Sequence, residues 1–82
     1  MIILDGRKMG DKPSLHEELK EKMAFPDYYG GNLDALNDCL GERSERDLIV
    51  IRSSGDFLQD NGNYGIKLLQ VFVDNGLQVL LD

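Results

Sequence analysis

The sequence predicts an α/β fold in which three to four helices pack on a three-stranded parallel sheet. Three short apolar segments have the length and composition of strands: MIILD at 1–5, DLIVIR at 47–52 and LQVLL at 77–81. Segments with helical periodicity separate them, and connections through helices favour parallel pairing with right-handed crossovers. The 82 residues are enough for one domain with a modest core and too few for two, so residues 1–82 are predicted to form a single domain.

The first strand ends at the turn signal Asp5-Gly6, and a helix follows. Ser14 and Glu17 have the spacing of a capping box, which predicts the helix start. Pro26 is expected to end the helix. The apolar residues that recur at i, i+4 and i+8 within it are Leu15, Leu19 and Met23.

A second helix is predicted after Asn32, which is a favourable N-cap residue. Gly30 and Gly31 are expected to permit the sharp turn that leads into it. An advance of about 100° per residue gathers the apolar residues on one side. That side contains Leu33, Leu36 and Leu40, with Ala35 and Cys39 extending it. The opposite arc contains Asp34, Asn37, Asp38, Gly41 and Glu42.

Three acids on that arc, Asp34, Asp38 and Glu42, form what we call the acidic stripe. Asp34 lies in the first turn, where a carboxylate interacts favourably with the helix dipole, so a solvated helix face explains it. Asp38 and Glu42 lie near the C-terminus, where negative charge costs roughly 0.3–1 kcal/mol. Like charges four residues apart cost roughly a further 0.2–0.5 kcal/mol. The stripe is therefore predicted to be a recognition surface.

The remaining helices lie between the second and third strands. DLIVIR is nearly continuously apolar, as expected for a strand buried on both faces of a parallel sheet. Asp56 can cap a short helix. Asn61-Gly62 leads into a longer helix, which Asn75-Gly76 ends in a C-cap pattern. The apolar members of that helix are Ile66, Leu68, Leu69, Phe72 and Val73.

The segment PDYYGGNLDALNDCL, at 26–40, resembles the corresponding loop and helix of the barstar family of intracellular ribonuclease inhibitors. SLHEELKEK before it and LLQVF after it follow in the family's order, so the resemblance covers nearly the whole chain. It implies an inhibitor that lays this loop and helix across a ribonuclease active site. The implied partner is a basic ribonuclease of the extracellular type, bound in a 1:1 complex.

The resemblance also implies roles for individual residues. Asp38 matches the central acid, which occupies the place of an RNA phosphate among the enzyme's cationic groups. Asp34 and Tyr28 match further contacts, and Asp74 matches a peripheral glutamate. Of the adjacent pair Tyr28 and Tyr29, we expect one to pack and the other to be presented. The other positions expected at the interface are Gly30, Asn32, Leu33, Asn37, Gly41 and Glu42.

Some positions depart from the family pattern. Asn37 stands where the family carries a tryptophan, and this chain contains no tryptophan. Gly41 and Glu42 replace a threonine and a glycine. The acids match better than the apolar rim, so a different cationic nuclease or toxin remains an alternative partner.

Charge and targeting signals narrow the classes of partner. The net charge is −6, from 15 acidic against 9 basic residues, which argues against direct binding to nucleic acid or an anionic membrane. No signal-peptide pattern and no apolar run of transmembrane length is seen, and the single cysteine, Cys39, excludes an internal disulfide. We expect a cytoplasmic protein that is monomeric when free.

A third alternative is a small metal-dependent enzyme. Two carboxylates four residues apart on a helix, such as Asp34 and Asp38, can share a cation. However, the sequence has no glycine-rich phosphate loop and no nucleophile with an adjacent base. His16 is expected to be an exposed helix residue, and no second His or Cys lies at metal-binding spacing. We therefore expect no metal, no cofactor and no catalytic residue.

Overall fold

The computed structural model describes all residues from 1 to 82. The predicted strands and helices are all present. Their bounds are β1 (Ile2–Asp5), α1 (Lys12–Lys22), α2 (Leu33–Glu42), β2 (Leu48–Arg52), α3 (Ser54–Asn61), α4 (Asn63–Asp74) and β3 (Gln78–Leu81). A 3-10 turn at Gly6–Lys8 follows β1. None of the helices has the length and apolar character needed to span a membrane.

The three strands form one parallel sheet in the order β1-β2-β3, as predicted. Both crossovers step across the sheet in the same direction, so right-handed connections place the helices on a single face. Leu4, Ile49 and Ile51 have no exposed surface. Ile3 and Leu80 point to the other face and are 38% and 53% exposed.

The central strand is buried by two different means. Ile49 and Ile51 belong to the core cluster. Val50, on the open face, pairs in register with Ile3 and Leu80 and is 7% exposed. Val50 is shielded by the neighbouring strands, because no helix covers this face of the sheet. The central residues of β2 are therefore buried on both faces, as predicted, but helices cover only one of those faces.

The first helix begins earlier than its sequence predicts. Its N-cap is Asp11, whose carboxylate accepts a hydrogen bond from the Ser14 backbone N–H at 2.8 Å. Pro13 lies in the first turn, where its missing N–H removes no helical bond. The predicted Ser14 and Glu17 capping box is wrong because Asp11 caps the helix one turn upstream, where Pro13 is compatible with the first turn.

One expectation for the third helix is corrected. The residue before α3 is Ser53, in the left-handed region with φ 54°, and Asp56 lies in the first turn instead of capping. Along α4, Leu68 and Phe72 are fully buried, whereas Ile66 and Val73 are 60% and 57% exposed. The helix has more apolar residues than the sheet can cover, so only one side is buried. The predicted C-cap is present, at Asn75 and Gly76.

The core contains one buried carboxylate. Glu18 of α1 is 4% exposed, and its Oε2 accepts a hydrogen bond from the Asp5 backbone N–H at 2.9 Å. The same oxygen accepts from Lys22 Nζ at 3.1 Å. The Glu18 carboxylate is therefore paired with Lys22, and its hydrogen bond to Asp5 joins α1 to the end of β1.

The close approach at Gly6 leads to a stability prediction. A Cβ at Gly6 would lie 2.5 Å from the carbonyl oxygens of Arg52 and Ser53, which are backbone atoms that cannot move freely. Gly6→Ala should lower the free energy of unfolding by about 1–3 kcal/mol, measured by urea denaturation.

Gly55→Ala is the matched control. A Cβ there meets nothing within 4 Å, and Gly55 lies inside α3. It should leave stability unchanged or raise it by up to about 1 kcal/mol. Equal effects of the two substitutions would show that the contact at Gly6 does not constrain the fold.

Candidate protein-binding site

The second helix is anchored by its apolar side. Leu36 and Leu40 are fully buried, and Leu33 and Cys39 pack against the core while partly exposed. The Asn32 side chain accepts a hydrogen bond from the Ala35 backbone N–H at 2.8 Å, which confirms the predicted N-cap. Packing and cap together fix which side of α2 faces solvent.

All three acids of the acidic stripe are exposed. None of the ion pairs in the structure includes Asp34, Asp38 or Glu42. Arg43 follows Glu42 directly, but its guanidinium donates to the Asp47 carboxylate at 2.9 Å and to the Met23 carbonyl at 3.0 Å. The nearest arginine in sequence is thus turned away, and the stripe is not neutralised within the protein.

The loop before α2 separates its two tyrosines, as expected. Tyr28 is 83% exposed. Tyr29 is partly buried, and its ring lies against Phe25 with 4.8 Å between ring centroids. Gly31 has φ 66°, in the region that favours glycine, which explains the sharp turn into the helix. Tyr28 is therefore the tyrosine that the loop presents.

A small cavity, which we call the notch, lies between this loop and α2. Its volume is about 210 Å³, and its lining residues are Tyr28, Tyr29, Gly30, Ala35, Asp38, Cys39 and Glu42. Aromatic and aliphatic surface alternates with two carboxylates. Such a lining suits a cationic side chain with an apolar or aromatic stem, because the stem can pack while the carboxylates accept its hydrogen bonds.

At Asn37, the exposed side of α2 contacts the C-terminal end of α4. Asn75 Nδ2 donates to Asn37 Oδ1 at 2.9 Å and to the Val71 carbonyl at 2.8 Å. Asp74, just before Asn75, is exposed and accepts a hydrogen bond from Gln70 at 2.7 Å. This contact brings Asp74 to the edge of the face that carries Asn37. It also occupies the side-chain oxygen of Asn37, which the sequence did not reveal.

His16 contradicts its predicted position. The residue is 4% exposed. Its Nδ1 lies 2.7 Å from the Tyr29 hydroxyl, and its Nε2 lies 2.7 Å from the Tyr64 hydroxyl. We call these three residues the His16 relay. The prediction failed because α1 buries a wider side than the positions of Leu15 and Leu19 define, and the tyrosine partners are distant in sequence.

Neither a metal cluster nor an activated thiol is formed. No group of three or more His, Cys, Asp or Glu side chains is arranged to hold a metal ion. Burial, together with the charges of Glu42 and Asp38, raises the pKa of the Cys39 thiol. Cys39 therefore stays protonated near neutral pH, unlike a nucleophilic cysteine.

The fold and this surface together define a small α/β domain that presents an unneutralised acidic helix beside an exposed tyrosine. The family model described as "Barstar (barnase inhibitor)" matches residues 1–79. The chain belongs to the barstar family, which confirms the resemblance seen in the sequence.

A curated relative supports the same assignment. A protein of Bacillus subtilis (strain 168), named "Putative ribonuclease inhibitor YrdF", is 42% identical over 71 residues. The matched region is 85% of this chain and 78% of that relative.

The burial of His16 predicts how stability depends on pH. Burial lowers the pKa of His16 from its ordinary value of 6.5. Below about pH 6.5 the unfolded chain binds this proton while the folded protein does not, so the free energy of unfolding should fall as pH drops towards the lowered pKa. The slope contributed by one group is at most about 1.4 kcal/mol per pH unit. Urea denaturation at several pH values measures it.

His16→Gln is the control, because its amide keeps a donor and an acceptor but does not titrate. Its stability should vary less between about pH 7 and pH 5.5. Hydrogen bonds lower the pKa values of Asp5, Asp11 and Asp47, so their contribution is lost only at more acidic pH. An unchanged slope in His16→Gln would contradict this assignment.

Proposed function

We propose that this protein inhibits a small basic ribonuclease of the barnase type by covering its active site in a 1:1 complex. The observation that supports this proposal is the acidic stripe, which has no internal ion pair and lies beside the exposed Tyr28 on a chain of the barstar family. The inhibitor would act in the cytoplasm, where a ribonuclease would otherwise meet cellular RNA, and it would be monomeric before it binds the enzyme.

Charge complementarity supports this function. A ribonuclease concentrates positive charge because its substrate is a polyanion. Carboxylates can occupy the places of phosphates, and opposite fields accelerate the encounter of the two proteins. Each buried carboxylate loses its hydration, so the enzyme must supply Arg, Lys or His donors to its oxygens. Carboxylates with no internal ion pair are free to accept those donors.

The geometry suggests a division of roles. Asp38 lines the notch and lies at the middle of the acidic stripe, so it is proposed as the central phosphate mimic. Tyr28 offers its ring to the partner, and Asp34 and Glu42 flank Asp38. Asp74 is proposed as a peripheral contact. The other proposed contacts are Gly30, Asn32, Leu33, Asn37 and Gly41, of which Leu33 is partly buried and the rest are exposed.

One observation favours a different cationic nuclease or toxin as the partner. The Asn37 side chain is held by Asn75, and no tryptophan is available to form an aromatic rim. Glu42 adds a carboxylate to the notch. A partner that places an additional cation opposite Glu42 would fit this surface better than one that requires an aromatic contact. Complex formation with several basic nucleases distinguishes the two partners.

The central role of Asp38 is tested by titrating the protein into a barnase-type ribonuclease while RNA cleavage is followed. The wild type should remove activity stoichiometrically. Asp38→Ala should weaken binding by at least about 2 kcal/mol, the threshold for a hot spot. The free variant should be as stable as the wild type or slightly more stable, because a charge opposed to the helix dipole is removed.

Glu21→Ala is the matched control. Glu21 is an exposed acid in the last turn of α1 and does not line the notch, so the charge change is the same. It should leave inhibition unchanged. Equal inhibition by Asp38→Ala and the wild type would remove Asp38 from the interface. Absence of inhibition by the wild type would redirect the search to another cationic partner.

Salt should act mainly on association. Raising ionic strength screens the field between the acidic stripe and a basic enzyme, so the association rate should fall while the dissociation rate changes little. Asp34→Ala should associate more slowly with a weaker salt dependence, and it should lose some helix stability at its N-terminus. Stopped-flow mixing at several salt concentrations measures both rates. A salt-insensitive association rate would contradict electrostatic steering.

A further inference from the structure

The loop that presents Tyr28 is held by a single hydrogen bond to the rest of the protein. Between residues 26 and 31, which we call the tyrosine loop, the Tyr29 backbone N–H bonds internally to the Pro26 carbonyl at 2.9 Å. The contact between the Tyr29 hydroxyl and His16 Nδ1, at 2.7 Å, is the one hydrogen bond that leaves the segment. The position of the loop therefore depends on His16 and on the packing of Tyr29 against Phe25.

The His16 relay extends this attachment to α4. His16 belongs to α1, and its Nε2 lies 2.7 Å from the hydroxyl of Tyr64 in α4. Lys12 Nζ lies 4.5 Å from the centre of the Tyr64 ring. One imidazole thus joins the tyrosine loop to two helices, although His16 itself does not line the notch.

We propose that His16 is a positioning residue for the partner site: through Tyr29 it fixes the tyrosine loop, and protonation of its imidazole releases that loop. This regulation rests on the proposed function, because the loop matters only if Tyr28 and the notch contact a partner. The relay itself is a property of the free protein and can be tested without one.

The chemistry of the relay makes it sensitive to a proton. A neutral imidazole has one N–H donor and one bare nitrogen, so one tyrosine hydroxyl accepts from the ring while the other donates to it. An added proton turns both ring nitrogens into donors. Both hydroxyl oxygens can still accept from the ring, but the hydroxyl that had donated loses its acceptor, and neither hydroxyl has another hydrogen-bond partner in the protein. Protonation therefore keeps both contacts as N–H···O bonds but places a positive charge on a buried ring, and opening of the tyrosine loop to water would hydrate that charge.

The surroundings also disfavour a positive ring. Lys12 and Lys20 of α1, with Glu17, line the shallow cavity beside His16, so two cations oppose one anion there. The loop contributes Tyr29 and α4 contributes Tyr64, and burial raises the pKa of each hydroxyl above its ordinary value of 10.0, so both stay neutral. From α2, the Cys39 thiol is close enough to Tyr29 to interact with it electrostatically. No carboxylate is hydrogen-bonded to the ring to stabilise the imidazolium.

Linkage then couples the proton to the partner. A partner that requires the fixed tyrosine loop binds the neutral form of His16 better, so binding and protonation oppose each other reciprocally. Affinity should fall as the pH drops through the pKa of His16. Each unit by which the pKa of His16 differs between the fixed and the released loop corresponds to about a tenfold change in the equilibrium.

The first test uses the free protein and nuclear magnetic resonance. The amide signals of Gly30 and Gly31 should shift with the same pH midpoint as the His16 imidazole, and they should not titrate in His16→Gln. Tyr29→Phe should speed amide exchange in the tyrosine loop by about 3- to 10-fold. Tyr64→Phe is its matched control, because it removes the same oxygen from the other end of the relay and should affect the loop less.

The second test measures the affinity for a barnase-type ribonuclease as probe at about pH 7.5 and about pH 5.5. The wild type should lose affinity on acidification more than His16→Gln does, and Tyr29→Phe should dissociate faster than Tyr64→Phe at comparable loss of stability. Because each Tyr→Phe variant lacks only one oxygen, these two keep the test valid if His16→Gln fails to fold.

The outcomes separate the two proposals. Absence of binding to the ribonuclease overturns the proposed function. The measurements on the free protein then test the His16 relay independently. The positioning role is overturned if the amide signals of Gly30 and Gly31 do not titrate with the His16 midpoint. It is also overturned if amide exchange in the tyrosine loop is equally fast in Tyr29→Phe and Tyr64→Phe. An identical pH dependence of affinity in the wild type and His16→Gln overturns the regulation.

Discussion

The one-sided covering of a three-stranded sheet is the constraint on which the rest of this structure depends. The strand order β1-β2-β3 makes both crossovers step in the same direction, and right-handed connections then place the helices on one face. Burial of their apolar sides against that face turns the polar sides outward. It also sets α2 beside the end of α4, where Asn37 meets Asn75. The acidic stripe on α2 and Asp74 at the end of α4 therefore lie on two helices that touch at Asn37 and Asn75.

Magnitudes explain how α2 tolerates its charges. Burying a leucine side chain contributes roughly 1.5–3 kcal/mol, and Leu36 and Leu40 are both fully buried. Opposition to the helix dipole costs roughly 0.3–1 kcal/mol for each of Asp38 and Glu42, and repulsion costs roughly 0.2–0.5 kcal/mol for each neighbouring pair of acids. Packing therefore holds the helix while its outer side carries unfavourable charge. Arg43 could have neutralised Glu42, but it binds Asp47 and the Met23 carbonyl instead.

The two sides of the notch are positioned in different ways. The α2 side is fixed by core packing and by the Asn32 cap, and both are local features. The loop side is fixed through the Tyr29 hydroxyl, which reaches a histidine on another helix. Core packing thus holds the α2 side of the notch, whereas the position of the loop side depends on one titratable ring. This asymmetry gives the proposed binding surface a point at which acidity can act.

The sequence by itself determined the strands, the helices, the acidic side of α2 and the family, because periodicity, caps and turn residues act over a few positions. It also showed that one tyrosine of the adjacent pair would be exposed. Only the tertiary structure decided that His16 is buried, that Asn37 is held by Asn75 and that Ile66 lies in solvent. The first two outcomes depend on partners 13 to 48 residues away, at distances that helical periodicity does not encode. The exposure of Ile66 depends on which side of α4 packs against the sheet.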